Sequence, residues 1–185
     1  MLAGLTKSVP ALAHAGVQER GAISFTSPPT GVPVQLSGAI NVHLVTRCEG
    51  DEAIWTVTVN DVAPDGTSTV LSGGALMASN RALDDTRCAY DVDGELLGAH
   101  HPLTWSAKQK VVPGETIELD IDVVATDALL DEGHRLRVDV YAGSVPRYLV
   151  TVPDLLKTRF GRQTVLLSPD RPTYVSVQIV GDPGW

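Results

Sequence analysis

The stretch Trp55–Leu76, WTVTVNDVAPDGTSTVLSGGAL, decides the fold class. Trp55, Val57 and Val59 alternate with Thr56, Thr58 and Asn60. Successive side chains of a strand point to opposite faces, so the first set predicts a buried face and the second a polar one. Asp61-Val62-Ala63-Pro64-Asp65-Gly66 then gathers turn-forming residues. Proline presets φ, aspartate bonds its own backbone two residues on, and glycine accepts positive φ. A second run follows from Thr67, and together they predict an antiparallel hairpin. The hairpin contains no obvious chemistry, which raises the question of what it serves.

The same pattern extends outward along the chain. Ile40, Val42 and Leu44 share a face opposite Asn41, His43 and Val45. Ile117, Leu119, Ile121 and Val123 alternate with Glu118, Asp120 and Asp122. Leu136, Val138 and Val140 alternate with Arg135, Arg137, Asp139 and Tyr141, and Val175, Val177 and Ile179 line one face near the end. Helical periodicity is scarce; DALLDEG (127–133) and VPDLLKTRFG (152–161) are each expected to form a turn or two of helix. About eight to ten strands separated by Gly, Pro and Asp clusters predict an antiparallel β-sandwich. A parallel sheet would need long crossover helices for which there is no room. The segment from Asp84 to Glu115 breaks the pattern, and a long turn-rich connection of this kind is often functional.

The chain has 185 residues, 43% of them hydrophobic and 19% charged, with a formal net charge of −8. That length suits one domain with a real core. The acidic balance argues against nucleic acid and against an anionic membrane surface as partners. No apolar run approaches the roughly 18 residues that cross a bilayer. Lys7 and Pro10 interrupt the N-terminal apolar stretch, and no secretory signal is read there. The compartment stays open. Cys48 and Cys88 make neither a disulfide framework nor a zinc site, and two free thiols are expected.

The search for chemistry is largely negative. Gly66-Thr67-Ser68-Thr69-Val70 lacks the second glycine of a nucleophile elbow and lies in a hairpin arm, so Ser68 reads as a surface strand serine. His100 and His101 are adjacent and would point to opposite faces of a strand. Asp91–Leu96, DVDGEL, lacks the ligand spacing of a calcium loop and reads as a polar turn. Glu118, Asp120 and Asp122 read as a solvated face. No metal or cofactor is expected. His134 falls on the face of Leu136 and Val138, where a histidine is usually buried and hydrogen-bonded. Arg135 faces the other way and is expected to pair with Asp61 or Asp65, tying two hairpins together. Trp55 reads as core, whereas Trp105, in the long connection, is the aromatic residue that a ligand would contact.

Two strings taken together resemble a known family. VNDVAPDGTSTVLSGGAL (59–76) is similar to the strand–turn–strand of the C-terminal domain in X-Pro dipeptidyl-peptidases and cocaine-esterase-like (CocE/NonD) serine hydrolases. EGHRLRVDVYAGSVPRY (132–148) resembles that domain's Gly-His-Arg-Leu-Arg strand and the Pro-Arg turn after it. The resemblance runs over Ala22–Gly181. It implies a jelly-roll β-sandwich of the galactose-binding-like type, residues 22–181, with 1–21 as a leader or linker stub and 182–185 as a tail. It implies a non-catalytic role beside an α/β-hydrolase domain, in cis or in trans, that carries the Ser-His-Asp triad. No catalytic residue carries over. Asp61, Pro64, Asp65, Gly66, Gly133, His134, Arg135, Pro146 and Arg147 match as structural motif residues. Esters, amides or X-Pro peptides would be the substrates of the parent enzyme, and the bared face would favour self-association. The alternative is a stand-alone carbohydrate- or protein-binding module.

Overall fold

The alternating runs become strands, each held by antiparallel neighbours. The structure, a computed structural model, describes residues 22–143, 152–158 and 161–184. Its strands are β1 (Ile23–Thr26), β2 (Val34–Cys48), β3 (Ile54–Val62), β4 (Ser68–Met77), β5 (Ala89–Tyr90), β6 (Leu96–Gly98), β7 (Thr116–Leu130), β8 (Arg135–Ala142), β9 (Gln163–Val165) and β10 (Tyr174–Val180). One short helix, α1 (Val152–Lys157), lies between β8 and β9.

The strands form two main sheets. The first has the order β1-β8-β3-β4. The second has the order β10-β2-β7, with β9 pairing the last residues of β2. β5 and β6 make a small separate ribbon. The pairings of both main sheets are antiparallel. Trp55, Val57, Val59, Val138 and Val140 from the first sheet meet Val42, Leu44, Leu119, Ile121 and Val123 from the second in one buried cluster. Each of these ten side chains is at most 4% exposed. Burying a side chain of this size contributes about 1.5–3 kcal/mol, so this facing pair of strips is the main source of stability.

One detail corrects the sequence reading. DALLDEG is not helical: Asp127–Leu130 continue β7, paired with Val34–Ser37 of β2. Pairing along a 15-residue partner strand outweighs the local helix preference of these residues. The second arm of the hairpin is the single strand β4, with Gly73 and Gly74 in its interior. A Cβ at Gly74 would collide with the backbone of Asp122 on β7, so glycine lets the edges of the two sheets close together. VPDLLK does form the expected helix, α1.

Candidate functional site

Three clusters of polar side chains are built on this frame, and none has the layout of a catalytic triad among the described residues. The first sits where the motif residues converge. Asp61 extends the inward row Trp55–Val57–Val59 to the end of β3. The Nδ1 atom of His134, in the turn just before β8, is 2.7 Å from Asp61 Oδ1. Both side chains are under 20% exposed. Gly133 makes that turn with φ +81°, a left-handed conformation that glycine takes without a Cβ penalty. Its N–H donates to the Thr30 carbonyl at 2.9 Å, and Pro64 packs against it. Gly66 has φ +87°, and Asp65 Oδ1 accepts the Thr67 N–H at 2.8 Å. That backbone hydrogen bond holds the Asp65 carboxyl below its usual range.

The expected partner of Arg135 is corrected here. Arg135 reaches neither Asp61 nor Asp65; its Nη1 donates to the Ser27 carbonyl at 3.1 Å. Alternation points Arg135 away from the face on which His134 and Asp61 meet, so the histidine takes the carboxylate. Pro146 and Arg147 lie outside the described residues.

The second cluster lies on the outward face of the first sheet. Asp139 is fully buried. Its carboxylate accepts from Ser24 Oγ at 2.6 Å, Asn60 Nδ2 at 2.9 Å and Arg137 Nε at 3.1 Å. Arg137 also donates to Ser68 Oγ at 2.9 Å, so the serine of the near-elbow string is an acceptor in a structural network.

The third cluster lies on the outward face of the second sheet. His43 and Asp120 are direct register partners, with Nδ1 and Oδ1 2.9 Å apart. Asn41 Nδ2 donates to the same oxygen at 3.0 Å. Tyr174, the register partner of His43 on β10, stacks on its ring at 4.8 Å between centroids. The expectation of a solvated carboxylate face therefore fails at Asp120, because the neighbouring strand β2 supplies both of its partners. Glu118 is exposed as expected and pairs with Arg171. The hydrogen bond to Asp120 raises the pKa of His43 above its ordinary value. Burial pushes Asp120 up, but the hydrogen bonds from His43 and Asn41 outweigh it and leave the carboxyl below its ordinary value.

Neither His–Asp pair has a hydroxyl or thiol bonded to the histidine among the described residues. Cys48 is buried, which pushes its thiol up, and Cys88 is half-buried; neither is bridged. No group of three His, Cys, Asp or Glu side chains suited to a metal occurs among the described residues. In DVDGEL, Asp91 Oδ1 accepts the N–H groups of Asp93 and Glu95, the bonding of a polar turn. A shallow depression of 290 Å³ is lined by Leu167, Ser168, Pro169, Pro172 and Thr173, without a titratable group. Trp105 is 85% exposed in the long connection.

Comparison with known proteins gives this scaffold its place. The sequence profile of the X-Pro dipeptidyl-peptidase C-terminal non-catalytic domain matches residues 9–176. The chain belongs to this family. A candidate serine esterase of Mycobacterium bovis is 26% identical over 141 residues, which make up 76% of this chain and 22% of that protein. A CocE/NonD family hydrolase of Staphylococcus aureus has a TM-score of 0.69 at 17% identity, over 86% of this chain and 30% of its own. An aminopeptidase of a Thaumarchaeota archaeon from marine sediment has a TM-score of 0.67 at 18% identity, over 91% of this chain and 27% of its own. At such identities the structural likeness is one of fold. The chain thus spans about a fifth of the length of the curated relatives it matches.

Proposed function

We propose that this domain is the accessory part of a serine hydrolase acting on esters, amides or X-Pro peptides. Its frame is a jelly-roll sandwich of the galactose-binding-like type that packs against an α/β-hydrolase domain and supports it. The observation that carries this reading is the match of the non-catalytic family profile to residues 9–176 of a chain equal to only 22–30% of its hydrolase relatives. The buried polar clusters support it: each ties strands together, and the rings of His43 and His134 are bonded to carboxylates. Asp61, Pro64, Asp65, Gly66, Gly133, His134 and Arg135 serve as scaffold in this reading.

The test is the size of the native polypeptide in source cells, read with an antibody raised against this domain. A band far above 19.6 kDa, with hydrolase activity in the immunoprecipitate, is expected. A band near 19.6 kDa without a co-purifying hydrolase would refute the accessory role. Exposed Trp105 favours one alternative, a stand-alone carbohydrate- or protein-binding module. Saturable binding on a carbohydrate panel would establish it.

A further inference from the structure

The long connection between β4 and β7 is firmly held at two places and thrust into solvent between them. At one, the His101 ring bridges two carbonyls, with Nδ1 3.0 Å from Ala82 O and Nε2 2.8 Å from Asp120 O. At the other, the Gln109 N–H donates to Ser79 O at 2.8 Å, and Arg81 donates to the carbonyls of Gln109 and Lys110. Between these anchors the apolar side chains point outward: Leu103 is 67% exposed and Trp105 is 85% exposed. Leu103 is the one described non-glycine residue with positive φ, +53°. A left-handed conformation is unfavourable for a bulky L-residue. Trp105 opens a short 3-10 turn, Trp105–Ala107, with no buried residue, and Lys108 Nζ lies 4.8 Å over its ring. Strained backbone that displays a leucine and a tryptophan adds nothing to the core between the sheets. Trp55, by contrast, is 2% exposed and lies within that core.

We propose that Leu103 and Trp105 are the anchor through which this domain docks on the catalytic domain of a longer hydrolase. This rests on the accessory-domain reading above and names the surface it uses. The relatives supply the occupant: this chain accounts for only 22–30% of their length. Local charge supplies the chemistry. In a chain of net charge −8, Lys108 lies over the tryptophan ring and Lys110 follows two residues on, so the docking pocket is apolar and rimmed by carboxylates. Tryptophan in a desolvated pocket is a frequent centre of interface binding energy.

Hydroxyl-radical footprinting read by mass spectrometry tests this. In the isolated 185-residue chain, Trp105 oxidises readily and Trp55 slowly. In the native polypeptide or complex captured from source cells, Trp105 oxidation is expected to fall about tenfold, as for a residue at an interface centre. Unchanged Trp105 oxidation in a polypeptide that does carry a hydrolase domain overturns the docking surface and leaves the accessory role intact. A native 19.6 kDa protein without a partner overturns both. Protection of Trp105 by a saccharide from the panel overturns the docking surface in favour of a sugar subsite. In a second arm, the pair Leu103→Gly and Trp105→Ala is expected to leave the melting of the isolated domain unchanged while loosening the full polypeptide to proteolysis between domains. Wild-type resistance in that arm also overturns the proposal.

Discussion

The outward faces of the two sheets solve one problem in two ways. Each places a carboxylate beside an asparagine and threads both into a row across strands. On the first sheet, Ser24, Asp139 and Thr58 are successive register partners, and Asn60 reaches Asp139 diagonally. On the second, Tyr174, His43 and Asp120 are successive register partners, and Asn41 reaches Asp120 diagonally. The difference is the cation. Arg137 serves Asp139, and His43 serves Asp120. A guanidinium stays protonated at any pH a protein tolerates, whereas an imidazole titrates near neutrality. One sheet is therefore tied by a fixed charge and the other by a conditional one, although the two rows share a plan.

Removing the carboxylates tests that contrast most strongly. Asp139→Ala strips the acceptor from Ser24, Asn60 and Arg137 at a fully buried position. Breaking a buried pair by deleting one partner costs about 3–5 kcal/mol, and a loss near the lower end is expected in the unfolding free energy from urea titration. Asp120 is less buried, with its side chain 17% exposed. Asp120→Ala loses charge-assisted hydrogen bonds and is expected to cost about 2 kcal/mol. Equal losses at the two positions would dissolve the distinction between the rows.

The conditional tie also has a direction in pH. The folded-state pKa of His43 is raised above 6.5, so its contribution is fully present below that value and is lost as pH rises through the raised pKa. The folded-state pKa of Asp120 is lowered below 3.8, so its contribution is fully present above that value and is lost as pH falls through the lowered pKa. The pair stabilises most between 3.8 and 6.5. Taking His43→Gln as reference, the stability difference from wild type is expected to shrink from about pH 6 to about pH 9, as the raised pKa of His43 is passed. A difference that stays flat over that range would show that His43 acts only by packing on Tyr174.

Much of this frame is legible in the alternation of residues, and the rest depends on register. Val42 and Leu44 in β2, Val57 and Val59 in β3, and Leu136 and Val138 in β8 face the core as their spacing predicts. The tight turn at Asp65-Gly66 is legible because positive φ and an aspartate bonded two residues on each need a particular residue type. Asp120 is not legible. Periodicity places it outward, but its partner His43 lies 77 residues away, and only strand pairing brings them opposite. The same limit hides the partners of Asp139 and the closure at Gly74. Trp105 is visible from sequence as an aromatic in a long connection; the positive φ at Leu103 is visible only in the backbone.

The smallest effects separate the two neighbours His134 and Arg135: the residue spacing gives Asp61 or Asp65 to the arginine, and the structure gives Asp61 to the histidine. His134 bonds Asp61 with both side chains under 20% exposed, so His134→Ala leaves that carboxylate without its histidine at the mouth of the core. A loss of about 1 kcal/mol is expected, the usual net worth of a hydrogen bond. Arg135 is exposed and makes a single described bond, to the Ser27 carbonyl. Arg135→Ala is expected to change stability by no more than about 0.5 kcal/mol, as for most surface substitutions. Had Arg135 held Asp61 or Asp65, the order would be reversed. Thermal melting of the two single variants and the double variant decides it. A double-variant loss equal to that of His134→Ala alone assigns the tie between the hairpins to the histidine. A larger loss at Arg135 would restore the ion pair that the residue spacing predicts.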